Sequence, residues 1–362
     1  MQLNSKEATA QPLQSKQHFL ILDGLRGVAA LAVVVFHFME WIITDFSKNF
    51  IAHGFLAVDF FFCLSGFVIA YAYDSRLKSM SIKTFFKLRL IRLHPLVVLG
   101  SVLGLLGFLF DPFSNEAAQF SSGMIALFFL SSVFLIPMPM MADRGFNLFS
   151  FNAPAWSLFW EYIANILYAL VLRKLSRPIL ILLAALAAAG ICIILYRNGN
   201  LLGGWSKDNF WDGAVRVAYS FLAGMIVYRS NWIIKNKLGF TGLTILLVLA
   251  FLMPFGKWNW LTESFAVIIY FPLIVALGAG TTLSEKVKKL CTFSGSVSYP
   301  LYMTHYAFIW IFGHYYLQQK PSTTELAIVV SCGTVLLVLF SYLVMKRYDV
   351  PVRKYLQRRW TK

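Results

Sequence analysis

The sequence is poor in charged residues, and acidic residues are the scarcest of them. Asp, Glu, Lys and Arg together make up 13% of the 362 residues, whereas 59% of the residues are hydrophobic. A soluble domain carries about 25% charged and about 45–50% apolar residues. This composition excludes an ordinary soluble domain and indicates an all-helical protein that crosses a membrane several times.

Cysteine is also scarce, and the four residues follow no pattern. Cys63, Cys192 and Cys332 lie in apolar runs, and Cys291 lies in a predicted loop. Their spacing matches neither a metal site nor a disulfide framework. We therefore expect no bound metal ion, and nothing in the sequence calls for a permanently bound cofactor.

Basic residues outnumber acidic residues, with 32 Lys and Arg against 16 Asp and Glu. In a soluble protein such an excess suggests nucleic acid as a partner. Here the basic residues lie in short runs between apolar segments, which is the pattern that orients membrane proteins. The sequence therefore predicts a lipid bilayer, and no nucleic acid, as its partner.

The start of the chain lacks the apolar run of a cleaved signal peptide. Residues 1–17 are predicted to form a cytoplasmic tail and residues 18–347 a single membrane domain. Residues 348–362 are predicted to form a basic cytoplasmic tail. No low-complexity tract, soluble insertion or convincing internal repeat divides the chain.

Ten apolar runs have the length of a transmembrane helix, which needs about 20 residues. An eleventh run, near 121–138, is at the short limit and ends in Pro137 and Pro139. The ten runs cover approximately residues 18–42, 54–74, 92–110, 152–172, 178–196, 210–229, 238–255, 260–280, 295–317 and 325–346.

The basic residues decide how these runs are oriented. If residues 121–138 do not cross, most Lys and Arg residues fall on one side, together with both termini. If they do cross, every later loop changes side and the bias disappears. Because basic residues concentrate in cytoplasmic loops, we predict ten crossings, cytoplasmic termini and a re-entrant or surface segment near 121–138.

The first apolar run carries Arg26 and His37, which are eleven residues apart. In an α-helix this spacing places both side chains on one face, roughly 16 Å apart along the axis. An interfacial arginine that extends to water and a histidine that bonds two helices together are the simpler interpretations. Ionisable residues within a membrane helix are costly, however, and therefore point to function.

Asp59 is an acid within the second apolar run, where it is costly unless it is paired. One candidate partner is His37, whose tautomer and charge Asp59 would stabilise. The other candidate is a helix N-terminus, which attracts negative charge.

Arg89 and Arg92 begin the third run and lie on one helical face, because they are three residues apart. They are either ordinary cytoplasmic anchors or a clamp for a polyphosphate ligand. Glu161 in the fourth run is either a catalytic acid or the partner of a buried arginine, for which Arg216 is available.

Tyr302 and His305 in the ninth run are also three residues apart and share a face. Packing in the aromatic belt at the membrane interface competes with a functional role for this pair.

Five blocks of sequence carry these residues in a fixed order. They are Leu22-Asp23-Gly24-Leu25-Arg26-Gly27 followed by His37, Val58-Asp59-x-Phe61-Phe62-x-Leu64-Ser65-Gly66-Phe67, Arg89-x-x-Arg92-Leu93-x-Pro95, Trp156-Ser157-Leu158-x-x-Glu161, and Ser298-Tyr299-x-x-Tyr302-x-x-His305. Together they resemble the acyltransferase-3 family of integral membrane acyltransferases, over about residues 18–345.

The resemblance implies transfer of an acyl group from cytoplasmic acyl-coenzyme A to a hydroxyl, commonly on a cell-surface or exported carbohydrate. Acetyl-coenzyme A is the default donor, and the bacterial inner membrane the expected location. Arg26, Arg89 and Arg92 would hold the donor, and His37 would deprotonate the acceptor. Asp59 or Glu40 would support the histidine, and the remaining candidates, Glu161, Arg216, Tyr302 and His305, would support the site.

A transporter or flippase of a carbohydrate or lipid-linked substrate is the alternative function. Intramembrane Arg, His and Asp residues also mark substrate pathways in transporters. Such proteins commonly show inverted repeats and pairs of broken helices, which the sequence does not suggest. A membrane protein without chemistry is a further alternative.

Overall fold

The computed structural model describes residues 19–360, which form helices and loops without a β-strand. The predicted tail of residues 1–17 lies outside this range. Each predicted span coincides with a helix or with a pair of helices. The helices are α1 Leu20–Ile42, α2 Ala57–Tyr73, α3 Ile82–Leu109, α4 Ser122–Val133, α5 Ala155–Leu170, α6 Arg177–Asn198, α7 Phe210–Arg229, α8 Gly239–Phe251, α9 Asn259–Phe265, α10 Phe271–Ala279, α11 Glu285–Gln319, α12 Thr323–Val344 and α13 Val350–Trp360.

Seven helical segments of the described chain are long and apolar enough to cross a membrane. The protein is therefore an all-helical, multi-pass membrane protein. Three predicted spans are not among the seven, because α5 and α8 have 16 and 13 residues and α11 carries several polar residues. The seven segments are Leu20–Ile42, Ala52–Tyr73, Ile82–Leu109, Arg177–Asn198, Lys207–Arg229, Asn259–Ala279 and Thr323–Trp360.

The segment near 121–138 forms the short helix α4 of 12 residues. At 1.5 Å per residue it is about 18 Å long, well below the ~30 Å hydrocarbon thickness. Leu135 then adopts a left-handed conformation with φ of 53°, which ends helical structure before Pro137.

The predicted boundary between the membrane domain and the basic tail falls inside a continuous helix. A π-helical turn, Met345–Asp349, joins α12 to α13. The described part of the tail is therefore helical, and α13 packs against α3.

Helix α1 packs along α11 more extensively than along any other described helix. A Cβ atom added at Gly27 would lie 2.5 Å from the carbonyl oxygen of Ser294, so only glycine permits this approach. Small residues allow such close contacts between membrane helices. Further along, the His37 and His305 rings stack, so contacts advance in the same order and the two helices run parallel.

Helix α3 also runs parallel to α11. The Tyr299 hydroxyl donates a hydrogen bond to the Leu93 carbonyl oxygen at 2.7 Å. Further along both helices, Gly107 lies against Ala307.

Helices α2 and α7 meet through two glycines and are joined by an ion pair near each end. Gly66 faces the backbone of Phe221, and Gly224 faces the backbone of Cys63; a Cβ atom at either glycine would approach a carbonyl oxygen to 2.0 Å or less. One ion pair lies near the start of both helices and the other near their ends. The two helices therefore run parallel in close contact.

The ion pair near the starts of α2 and α7 joins Asp59 to Arg216. Arg216 Nε donates to Asp59 Oδ1 at 3.1 Å, and a terminal nitrogen donates to Oδ2 at 2.6 Å. The same guanidinium donates to the carbonyl oxygens of Gly203 and Phe55 and lies over the Trp156 ring. Because the side chains are 1% and 0% exposed, this two-pronged pairing is what makes both charges tolerable.

This geometry corrects two predictions. Asp59 does lie in the first turn of α2, but its carboxylate binds Arg216 and forms no hydrogen bond with His37. Arg216 is consequently not the partner of Glu161. The sequence showed which charges needed partners, but the pairing depends on which distant helices touch.

The ion pair at the other ends of α2 and α7 joins Asp74 to Arg229. Arg229 donates to both carboxylate oxygens at 2.8 and 2.9 Å, and the Tyr168 hydroxyl donates to one of them at 2.8 Å. Arg229 also donates to carbonyl oxygens of the loop after α5. The ends of three helices are thereby held together.

We expect Gly66→Ala and Gly224→Ala each to lower the free energy of unfolding by about 1–3 kcal/mol, the usual cost of overpacking a close contact. Gly123→Ala is the matched control, because a Cβ atom there meets only Ser121 Oγ at 4.0 Å. Thermal unfolding in detergent gives the melting temperatures of the three variants. Equal melting temperatures for all three would contradict the close packing of α2 on α7.

We expect Asp59→Asn to destabilise the protein by about 3–5 kcal/mol, because it leaves the Arg216 guanidinium buried without its counter-charge. Asp45→Asn removes an exposed acid that pairs with Lys48 and should change the melting temperature little. The double variant Asp59→Leu/Arg216→Met should recover part of the loss. A melting temperature for Asp59→Asn equal to that of Asp45→Asn would show that the buried pair is not needed.

Candidate functional site

Two cavities lie along α1, and we name them by their ionisable residues. The arginine cavity, of about 240 Å³, is lined by Arg26, Arg89 and Arg92 among other residues. The histidine cavity, of about 460 Å³, is lined by His37 and Glu40 among others. Arg26 and His37 share one helix, as predicted from their spacing, but each of them lines a different cavity.

Arg26 is held in place by α11. Its Nε donates to Ser298 Oγ at 2.9 Å, and a terminal nitrogen donates to the Gly295 carbonyl oxygen at 2.8 Å. The same nitrogen lies 3.1 Å from an Asp23 carboxylate oxygen. Arg26 is therefore fixed within the protein and does not extend freely to the membrane interface.

Arg89 is the arginine that pairs with Glu161, at 3.0 Å. The same Glu161 oxygen accepts a hydrogen bond from Ser65 Oγ at 2.9 Å. Arg89 Nε is buried, and no described residue accepts a hydrogen bond from it. Glu161 is thus the partner of a largely buried arginine, as one of the sequence interpretations had it.

Arg92 lines both the arginine cavity and a neighbouring recess of about 220 Å³. The recess also contains Arg26 and Arg353, together with Asp349. A terminal nitrogen of Arg353 lies 2.6 Å from Asp349 Oδ2. From the sequence, Arg353 was predicted only as part of a basic tail, because nothing in the sequence shows that α13 packs against α3.

His37 in the histidine cavity bonds to Glu40 of its own helix. The Nδ1–Oε1 distance is 2.6 Å, and the side chains are 19% and 24% exposed. Because a carboxylate accepts hydrogen bonds, Nδ1 carries the proton and Nε2 is left as the basic nitrogen of the neutral ring. Glu40, and not Asp59, is therefore the carboxylate that orients His37.

The predicted pair on α11 lies inside the protein and not in an aromatic belt. His305 is fully buried and stacks on His37, with ring centroids 5.4 Å apart. Its Nδ1 bonds to the Leu301 carbonyl oxygen at 3.0 Å. Tyr302 is 6% exposed and donates or accepts a hydrogen bond with Ser157 at 2.8 Å.

Tyr302 and Val58 are the two described residues that line both cavities. Val58 comes from α2 and Tyr302 from α11. The arginine cavity and the histidine cavity therefore lie back to back, with these two side chains between them.

Many of the residues that line the histidine cavity were not predicted from the sequence. This wall is rich in aromatic side chains, which lie far apart in the sequence. Apart from Trp156 and Tyr302, its Phe, Tyr and Trp residues belong to none of the five sequence blocks. Four of the aromatic residues are tryptophans: Trp41, Trp156, Trp205 and Trp310.

Arg144, which also lines this cavity, was not among the site residues predicted from the sequence. It is 3% exposed, pairs with Glu116 at 2.8 Å and lies over the rings of Phe108 and Trp310. Burial alone would raise the pKa of Glu116, but hydrogen bonds with His314 and Arg144 hold that pKa below its usual value. Isolated charges in otherwise apolar loops are the sequence signal that could have identified Arg144 and Glu116.

Comparison with known proteins gives two informative relatives. A protein of Rhizobium radiobacter named protein 2 in the picA locus is 35% identical over 162 residues, which are 42% of this chain and 82% of that protein. The O-acetyltransferase OatA of Staphylococcus aureus strain NCTC 8325 is 24% identical over 376 residues, covering 95% of this chain and 58% of OatA. The chain thus spans little more than half the length of OatA.

No solved structure matches the chain significantly. The acyltransferase-3 family model, described as an acyltransferase domain, matches residues 19–346. This match includes all five sequence blocks and the residues of both cavities. The chain therefore belongs to the acyltransferase-3 family of membrane O-acyltransferases.

Proposed function

We propose that the protein transfers an acetyl group from cytoplasmic acetyl-coenzyme A to a hydroxyl of a cell-surface or exported carbohydrate. The observation that carries this proposal is the pair of cavities on α1. A site rich in arginine suits an anionic donor, and a site with an oriented histidine suits a hydroxyl acceptor. The two sites meet at Val58 and Tyr302.

The proposal includes ten crossings of the bacterial inner membrane, with both termini in the cytoplasm. The direction of the helices supports the number of crossings, and the bias of basic residues supports the cytoplasmic side of the termini. Helix α11 is parallel to α1 and α3, and α7 is parallel to α2, so the two helices of each pair must have an odd number of crossings between them. The ten-span topology satisfies this condition, whereas a crossing by residues 121–138 would break it for all three pairs.

The donor binds in the arginine cavity, which then opens toward the cytoplasm. Arg26, Arg89 and Arg92 bind its phosphates, because a guanidinium is always charged and pairs with phosphate through two hydrogen bonds. The thioester then points along the cavity toward Tyr302.

The transfer itself is direct. His37 Nε2 takes the proton of the acceptor hydroxyl, and the hydroxyl oxygen attacks the thioester carbonyl carbon. The carbon–sulfur bond breaks, and the proton passes from His37 to the departing sulfur. Glu40 stabilises the imidazolium that forms in between, so no covalent acyl-enzyme is needed.

The acceptor binds in the histidine cavity, on the outer side. Trp41, Trp156, Trp205 and Trp310 in its lining supply flat apolar surfaces with a polar edge. Such surfaces suit a sugar ring, which has an apolar face and a hydroxylated rim. The mixed aromatic and polar wall is typical of a ligand pocket.

We expect His37→Ala to reduce acetyl transfer by about 10²–10⁴-fold, the usual contribution of a general base, without weakening acetyl-coenzyme A binding. Mass spectrometry of surface carbohydrates from complemented cells measures transfer, and calorimetry on purified protein measures binding. His94→Ala is the control, because His94 lines neither cavity. Normal transfer by His37→Ala, or an acyl group trapped on a serine or cysteine, would contradict the direct mechanism.

We expect Arg89→Gln to weaken acetyl-coenzyme A binding by at least tenfold, because it removes a charged contact to the donor phosphates. Lys83→Gln removes an exposed basic residue of the same helix and should leave the affinity unchanged. A melting curve for each variant separates lost binding from lost folding. If the wild-type protein does not bind acetyl-coenzyme A, the proposed donor is wrong.

A further inference from the structure

We propose that Val58 and Tyr302 form a constriction that favours an acetyl donor over donors with longer acyl groups. The proposal rests on the proposed function, because it assumes that an acyl thioester approaches His37 from the arginine cavity. It adds the size of the transferred group and the two side chains that set it.

Val58 and Tyr302 lie where the two cavities meet. The cavities lie back to back, and Val58 and Tyr302 are the lining residues that they share. Both side chains are 6% exposed, so they are packed among neighbours and face each cavity with only a small surface. An acyl carbon that is to meet a hydroxyl held by His37 has to reach this wall.

Tyr302 is held rigidly by its neighbours. Its hydroxyl bonds to Ser157 Oγ at 2.8 Å, and Ser157 Oγ in turn lies 2.9 Å from the Pro154 carbonyl oxygen. The Tyr302 ring packs edge-on against Phe61, with centroids 5.5 Å apart. The Tyr302 side chain is thus held both by its hydroxyl and by the contact of its ring with Phe61.

Val58 is also held rigidly. A β-branched side chain has few rotamers, and the next residue along the chain is Asp59. The two hydrogen bonds between Asp59 and Arg216 fix the first turn of α2, which carries Val58. The buried ion pair therefore acts as a positioning device for the constriction.

A rigid constriction discriminates by size. An acetyl group adds one methyl group beyond the carbonyl, whereas a butyryl group adds two further methylene groups. Close-packed side chains in favoured rotamers do not accommodate added methylene groups without strain. The structure therefore favours acetyl over butyryl, although a longer acyl chain brings more apolar surface to bind.

The experiment measures the affinity of the full chain for acetyl-, propionyl- and butyryl-coenzyme A by calorimetry in detergent. We expect the wild-type protein to bind acetyl-coenzyme A at least tenfold more tightly than butyryl-coenzyme A. In Val58→Ala the two affinities should differ by less than about threefold, because the constriction is wider. Tyr302→Phe keeps the ring but loses the bond to Ser157, and should give an intermediate ratio.

Val335→Ala is the matched control. Val335 lies on α12, lines neither the arginine cavity nor the histidine cavity, and is 59% exposed. The same substitution there should leave the wild-type ratio of affinities unchanged. Melting curves of all variants exclude general loosening of the fold as the cause of a changed ratio.

Two results would overturn the constriction while leaving the proposed function intact. One is equal affinity of the wild-type protein for acetyl- and butyryl-coenzyme A. The other is a ratio that changes equally in Val58→Ala and Val335→Ala. A wild-type protein that binds none of the three donors would instead overturn the proposed function itself.

Discussion

The buried ion pair between Asp59 and Arg216 is the interaction on which the rest of the site depends. Replacing such a pair by apolar residues is often neutral or stabilising, so its value is not its contribution to stability. Its value is geometric, because one bidentate contact fixes α7 against the first turn of α2. The Gly66 and Gly224 contacts then bring the same two helices together along their length.

Helix α1 provides the axis that relates the two halves of the site. Arg26 is anchored on α11 by Ser298 and Gly295, and His37 is oriented by Glu40 and stacked on His305. These contacts place a positive charge in one cavity and a basic nitrogen in the other. Ionisable groups are costly in a membrane, and here Arg26 and His37 each form contacts that also set the direction of the side chain.

The sequence predicted the elements of this site better than their partners. The apolar runs located the helices, and three-residue spacing placed Arg89 beside Arg92 on one face of α3. His37 as the partner of Asp59 and Arg216 as the partner of Glu161 were wrong, because helical spacing relates residues within one helix only. Arg144 and Arg353 were missed for the same reason, since the residues that surround them are distant in the chain.

The sequence by itself determined that the chain is a helical membrane protein, where its helices lie and which ionisable residues needed an explanation. Each of these follows from local composition and from the 3.6-residue period of the helix. Only the tertiary structure decided which arginine pairs with which carboxylate, that Arg26 and His37 line separate cavities, and that Val58 and Tyr302 stand between them. These properties depend on contacts between distant helices, which no local pattern encodes.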